Sequence, residues 1–466
     1  MNHILRAIFL LSILLQSAVA WGRTSPEYAH AVADRQLYLT GERVHLTVSI
    51  TDSLGQPSPL SRVVYVELSD RHHTCAQTMV ALTDGSGWAD LPLDSTLHSG
   101  YYLLSVYTRA MLPMLSDGSV PSSTSLAATA TSSPLHTQLL PIVNPLRVSR
   151  ADDVLYLPLD SLKMTGDLPA GYSADSIYSN SKAVSAAGSS LAIRPLASSH
   201  LLPEPEGHIV QARPVDETVT IAQSRLVMIG RSTAVFDGQR QSDGSWLYFT
   251  SDIYGRRPAL LTASDPEGHT VAMQFCSPFA GIIPLSLPRL RVYCSETALL
   301  HRTRQAQREQ AITRWLAADS IAFTSQILSS SPHFSYDLDE YTRFSSVRQI
   351  LTEFVHGIKR EHLHGVNLLF TYDPDQLAYS TWPALVLLDG MPIVDVDQIL
   401  DYDARLLRYV QVYTDRFTFG GAVCGGIISF TSRRGLLSNY QLDASTRLIT
   451  YSFPQDHPVQ YQLTDE

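Results

Sequence analysis

Residues Pro383–Asp395 read PALVLLDGMPIVD: an apolar run, an Asp-Gly pair, and a second apolar segment carrying a proline. Ala384–Leu388 has the unbroken apolar character of a buried strand. Asp389-Gly390 signals a tight hairpin, because two-residue turns need φ > 0 at both central positions and this pair tolerates it. The rival reading is an active-site loop with Asp389 as its acid. The turn is favoured, and since Asn suits the same conformation, Asp389→Asn is expected to be nearly silent. A β-branched residue at Gly390 would not be, because it resists positive φ.

Working outward, Ser345 or Ser346 is a good N-cap for a helix. Val347, Ile350, Leu351 and Phe354 then fall at i, i+3, i+4 and i+7, one buried stripe. Downstream, Asp403–Leu407 gives a helical turn and RYVQVYT (Arg408–Thr414) alternates as a strand. FGGAVCGGIISFTSRRG (Phe419–Gly435) adds a Gly-rich loop, a strand and a basic turn. The helix, L-L-D-G-x-P, I/L-x-x-V-x-V and G-x-x-x-x-G-x-I-x-F-x-T-x-x-G, in this order, resemble the plug domain of TonB-dependent outer-membrane receptors over residues 336–437. The resemblance implies a location in the periplasm or at the outer membrane, and it makes Asp389 a turn residue rather than a nucleophile. In such receptors a barrel follows the plug. Here only 31 residues follow Gly435, whereas even eight strands of about 9–11 residues need far more, so no pore is expected. The tail is expected to add one strand to an existing domain, burying Leu448 or Ile449.

Residues 34–110 read as short strands about ten to twelve residues apart with Gly/Pro turns, the pattern of an antiparallel β-sandwich. In YLTGERVHLTVSI (Tyr38–Ile50), Val44, Leu46, Val48 and Ile50 share one face. The series Y-x-x-G-E-x-V-x-L-x-V, V-Y-V-E-L-x-D, G-x-x-x-L-P-L and S-G-Y-Y-L-L-x-V-Y-T is similar to the macroglobulin MG2 domain. The thioester of complete macroglobulins is absent, since Cys424 is followed by Gly425-Gly426-Ile427, so protease trapping does not carry over. Ser224–Gly230 and Ser242–Ala263 form a turn-aromatic-strand pattern that resembles carboxypeptidase-regulatory-like sandwiches.

The expected organisation is a signal peptide over 1–20 and an MG2-like sandwich over 21–147 with a disordered low-complexity loop at 116–134. A small β region follows over 148–205, then a carboxypeptidase-regulatory-like sandwich over 206–290. A helical connector spans 291–335, the plug-like domain 336–437, and a terminal strand or tail 438–466. The expected fold class is therefore mainly β and multidomain: immunoglobulin-like or macroglobulin β-sandwiches followed by a small α+β plug-like domain.

The 34 basic and 44 acidic residues give a net charge of −10, and no basic run interleaves with aromatics. That speaks against nucleic acid as a partner. Arg6, the apolar Ala7–Leu15 and the small Ala18-Val19-Ala20 form a secretion signal. Its apolar stretch is shorter than the ~20 residues of a membrane span, and no other segment approaches that length, so the mature chain is expected to be exported without a transmembrane segment. Cys276 and Cys294 are the candidate disulfide pair, simple burial as free thiols being the alternative.

No G-x-S-x-G elbow occurs, Asp84-Gly85-Ser86-Gly87-Trp88 reading as a strand turn, and there is no H-E-x-x-H motif or P-loop. His356, His362 and His364 lack an evident third ligand partner, and His72-His73 with Cys75 reads as a hairpin tip. Asp395, Asp397, Asp401 and Asp403 lack the Gly and Glu of an EF-hand loop and read as a solvated acidic turn. Gly420, Gly421, Gly425 and Gly426 lack the Lys-Ser/Thr of a phosphate cradle. No catalytic residue, cofactor or metal is expected. The function expected is that of a non-catalytic interaction protein of a Gram-negative cell envelope, binding a protein, peptide or glycan. The alternative is an accessory subunit of an uptake or secretion complex whose plug docks on a separate barrel. A hydrolase is the reading with least support.

Overall fold

Apart from short breaks, the computed structural model describes residues 27–112, 134–145 and 202–456, together with the strands Val154–Pro158, Tyr178–Ser179 and Leu191–Ala192. The expected signal segment, nearly all of the 116–134 loop and most of 148–205 lie outside the described residues. The protein is mainly β, with several separate sheets. It divides into two compact units, each gathered from distant stretches of chain. The first is Met1–His208 with Phe279–Arg314 and Pro454–Glu466; the second is Ile209–Pro278 with Trp315–Phe453.

The first unit holds strands β1 (Tyr28–Ala33), β2 (Tyr38–Leu39), β3 (Arg43–Thr51), β4 (Val63–Ser69), β5 (Thr74–Ala81), β6 (Ser86–Pro92), β7 (Gly100–Tyr107) and β8 (His136–Val143). They form two sheets, ordered β1-β3-β6 and β2-β8-β7-β4-β5. On β3 the alternation buries Val44, Leu46, Val48 and Ile50 and leaves the intervening positions more exposed, as a half-buried strand requires. β4 is buried at every position because β5 and β7 flank it. Asp84 and Gly85, with φ of 49° and 71°, turn the chain into β6. The helix Glu296–Asp319 is anchored to this unit by Arg302, whose Nε and Nη2 donate to the buried Glu42 carboxylate at 2.7 and 2.9 Å.

In the second unit, Ile209–Ser264 and Met273–Phe275 supply strands to two four-stranded antiparallel sheets. Arg447–Ser452 closes the edge of one of them by pairing with Arg256–Ser264. The tail thus adds a strand; Tyr451 and Phe453 are buried and Ile449 is partly covered, while the burial of Leu448 lies outside what is described. Tyr451 packs on Phe275 and Phe453 at ring-centroid separations of 5.0 and 4.8 Å.

The remainder of this unit is a five-stranded mixed sheet in the order Phe334–Asp337, Leu407–Tyr413, Ile427–Ser432, Leu385–Leu388, Met391–Pro392. Leu385–Leu388 runs parallel to Ile427–Ser432 and is an interior strand, with Met391–Pro392 on its other side. Interior position explains its unbroken apolar run. The helices Val347–Glu353 and Val396–Leu400 join the same core, with Val347 and Ile350 fully buried and Leu351 and Phe354 packed at its margin. Ser346 holds the N-cap position with no side-chain cap bond. Its neighbour Ser345 donates its hydroxyl to Gln349 Oε1 at 2.9 Å. Among the described residues no helix is long and apolar enough to cross a membrane.

Candidate functional site

Asp389 and Gly390 have φ of 50° and 83° and sit between the paired residues Leu388 and Met391. That is a two-residue hairpin with both central residues left-handed. Asp389 has a second role that its sequence context hides. The residue is only 2% exposed. Its carboxylate accepts the backbone N–H of Ser432 at 2.6 Å, the Ser432 hydroxyl at 2.6 Å and the backbone N–H of Leu437 at 2.8 Å. The side chain therefore clamps the segment after Ile427–Ser432, and the expectation that Asn would substitute almost silently has to be revised. Ser432, the last residue of the strand Ile427–Ser432, was the available signal, since its hydroxyl is a ready donor.

The other sequence candidates resolve into structural parts. Asp395 caps the helix Val396–Leu400 by accepting the N–H groups of Asp397 and Gln398. Asp397 accepts from Asn367, Asp401 pairs with Arg348 at 2.8 Å, and Asp403 caps the 3-10 turn Ala404–Leu406 and binds Arg405. The four acids are thus divided among separate partners. His362 lies on the strand Ile358–Leu363, while the backbone N–H of His356 donates to the Tyr336 hydroxyl at 2.9 Å. His364, Gly420 and Gly421 lie outside the described residues. At Gly425 a side chain would run into Ser380 and the Trp382 carbonyl, so that glycine permits close backbone packing. Cys276 and Cys294 are free thiols rather than the expected disulfide. Cys276 belongs to the second unit and Cys294 to the first. Burial raises both thiol pKa values.

The first unit contains a buried polar centre that no motif announced. Glu204 accepts from the Tyr65 hydroxyl at 2.9–3.0 Å, lies 3.1 Å from His208 Nδ1 and pairs with Arg109 Nη1 at 3.4 Å. Arg109 also stands over the Tyr65 ring, 5.5 Å from its centroid. Tyr65 stacks on Tyr107, whose hydroxyl donates to Glu67, and the N–H of Gly281 donates to the same Glu67 oxygen at 3.0 Å. Burial, reinforced by the Glu67 charge, holds the Tyr107 phenol far above its ordinary range. A third buried acid, Glu27, accepts from Ser58, Ser61 and Thr108. These acids are buried and saturated with donors, which makes them internal struts.

Two features face outward. At the β4–β5 hairpin tip, single donor atoms of Asp70, His73 and Cys75 all lie within 4.8 Å of one another. His73 Nδ1 is 3.1 Å from Asp70 Oδ1, and burial followed by the Asp70 charge pushes the Cys75 thiol up to about 12. An open cleft of about 370 Å³ adjoins the tip, lined in part by Asp70, His72, His98 and Tyr102. In the second unit, large apolar side chains stay exposed around the strand Ala378–Tyr379: Leu377 at 78%, Tyr379 at 43% and Trp382 at 48%. Val423 is exposed nearby in chain order to Gly425, which packs against Trp382.

No protein-family model and no curated protein matches the chain. Solved structures that align with it include bacterial α2-macroglobulin and adhesin β domains. For trypsin-activated α2-macroglobulin from Escherichia coli the alignment has 12% identity, covers 55% of this chain and 16% of that one, and has a TM-score of 0.19. For a tetra-tandem repeat from the extending region of a large adhesion protein the values are 10%, 54%, 50% and 0.16. For an Escherichia coli adhesin they are 12%, 55%, 63% and 0.16. The chain thus spans half or less of the length of the first two, and at such TM-scores the likenesses carry no argument about fold or function.

Proposed function

We propose that this is a non-catalytic interaction protein of the bacterial cell envelope, exported by its N-terminal signal and acting in the periplasm or at the outer membrane. In this reading the first unit carries a macroglobulin-like sandwich and residues 336–437 form a plug-like domain. The observation that carries the reading is the exposed apolar edge at Leu377, Tyr379 and Trp382. Exposed Trp and Tyr close together are the side chains that most often anchor a protein partner, because they bury much area at little cost in side-chain freedom. The partner class is a protein, peptide or glycan. The test is a pull-down from envelope membranes with mass spectrometry, comparing the natural chain with the double variant Tyr379→Ser, Trp382→Ser. One partner recovered by the natural chain and lost by the variant supports the reading. Recovery of an outer-membrane barrel would assign the protein to an uptake or secretion complex instead. Equal recovery by both chains would overturn the role given to this edge.

A further inference from the structure

We propose that Asp70, His73 and Cys75 at the β4–β5 hairpin tip form a binding site for a divalent transition-metal cation of the zinc class. The three side chains offer one carboxylate oxygen, one imidazole nitrogen and one sulfur, with the ligand atoms within 4.8 Å of one another. Mixed N, O and S donors of this kind suit Zn²⁺, which takes four ligands in a tetrahedron and has no preference against a combined set.

Two backbone features bring them together. The β4–β5 ladder slips between Leu68 and Ser69: Leu68 pairs with Ala76 but Ser69 pairs with Thr74, which leaves Cys75 as the extra residue of a bulge. A bulge re-aims its side chain out of the regular alternation. The turn itself is closed by the N–H of Asp70 donating to the His73 carbonyl at 3.1 Å. Asp70 Oδ1 meanwhile accepts the N–H groups of His72 and His73 at 2.7 and 2.8 Å. These bonds fix one carboxylate oxygen in place, the kind of outer support that metal ligands commonly have. They occupy Oδ1, and an ionised carboxylate has further lone-pair positions on its second oxygen.

His73 is exposed and Asp70 and Cys75 are partly so, so an ion reaches the site without opening the fold. Three protein ligands leave the fourth position for water or a group from outside, and Asp70 also lines a cleft together with His72 and His98. Binding replaces the thiol proton, which leaves to solvent, with a metal–sulfur bond.

The probe is Co²⁺ titrated into the purified full chain, followed by its thiolate-to-metal absorption band and by displacement with Zn²⁺. The expected result is one ion per chain with a band that Cys75→Ser abolishes and that Cys276→Ser, Cys294→Ser and Cys424→Ser leave intact. His73→Ala and Asp70→Asn are expected to weaken binding by at least about 10–100-fold, the loss that even outer-shell partners produce. Circular dichroism of each variant separates ligand loss from unfolding. A natural chain without the band, or a band that survives Cys75→Ser in a folded protein, overturns the site.

Discussion

Both units bury carboxylates, and they do so by different means. Asp389 in the second unit is held by two backbone N–H groups and one hydroxyl, all from residues 432–437. Glu204 in the first unit is held by the side chains of Tyr65, His208 and Arg109. Backbone donors are fixed by the fold and do not titrate, so the Asp389 clamp is a neutral-donor cage around one charge. The Glu204 centre joins an acid, a base and a guanidinium from separate stretches of chain. It should respond more strongly to substitution, and it should respond to pH.

The largest expected effect follows from that difference. Glu204→Ala leaves the Arg109 guanidinium buried without its carboxylate, and removing one partner of a buried ion pair costs about 3–5 kcal/mol. Denaturant unfolding of the natural chain and the variant measures it. A loss smaller than that of an exposed pair, about 1 kcal/mol or less, would show that Glu204 is not an internal strut.

At Asp389 the effect is expected to be smaller but present. Asp389→Asn replaces one acceptor oxygen with an N–H donor facing donors in the 432–437 segment, a cost of about 1–3 kcal/mol. Gly390→Val strains a residue at φ 83° and is expected to cost about 1–3 kcal/mol as well. Melting temperatures of the two variants distinguish the contributions. If Asn were silent while Val destabilised, Asp389 would be a turn residue and nothing more.

The smallest effect sharpens the contrast through pH. Burial is the main cause holding the His208 imidazole below its ordinary pKa of 6.5; Glu204 opposes the shift and Arg109 adds to it. The folded value lies below the unfolded one, so the unfolded chain takes up this proton first. The stability contribution of neutral His208 is therefore fully present above about pH 6.5 and declines as pH falls from there toward the folded value. His136, also lowered by burial, acts in the same direction. His208→Asn should flatten, without abolishing, the fall in stability below pH 6.5. An unchanged slope would remove His208 from the account.

The structure explains why some of this was readable from residue order and some was not. The alternation on β3 and the unbroken run at Leu385–Leu388 report burial on one face and on two, and both survive in the fold. The Asp-Gly turn is a two-residue property and needs no distant information. The Glu204 centre is different. Tyr65 and Glu204 are 139 positions apart. Glu67, inside the apolar run V-Y-V-E-L, looks like an outward charge until Tyr107 and Gly281 are seen beside it. Charged side chains are seldom fully buried unless paired, and the pairing here is invisible in one dimension. The bulge at Cys75 was hidden for a related reason: register belongs to two strands at once.

The strand Arg447–Ser452 closes a sheet whose other members lie between Gln223 and Ser264. Considered in time rather than in space, this is a delay. A ribosome delivers Arg256–Ser264 well before the residues that will pair with its free edge. Until they arrive, that edge presents unpaired N–H and C=O groups, a template for any other extended chain. Closing so long a loop also slows the last step of folding, because its entropy is lost before the strand contacts form. Within the newborn second unit this one sheet thus has an open side, vulnerable to mispairing until Arg447–Ser452 pairs with it and Tyr451 and Phe453 are buried.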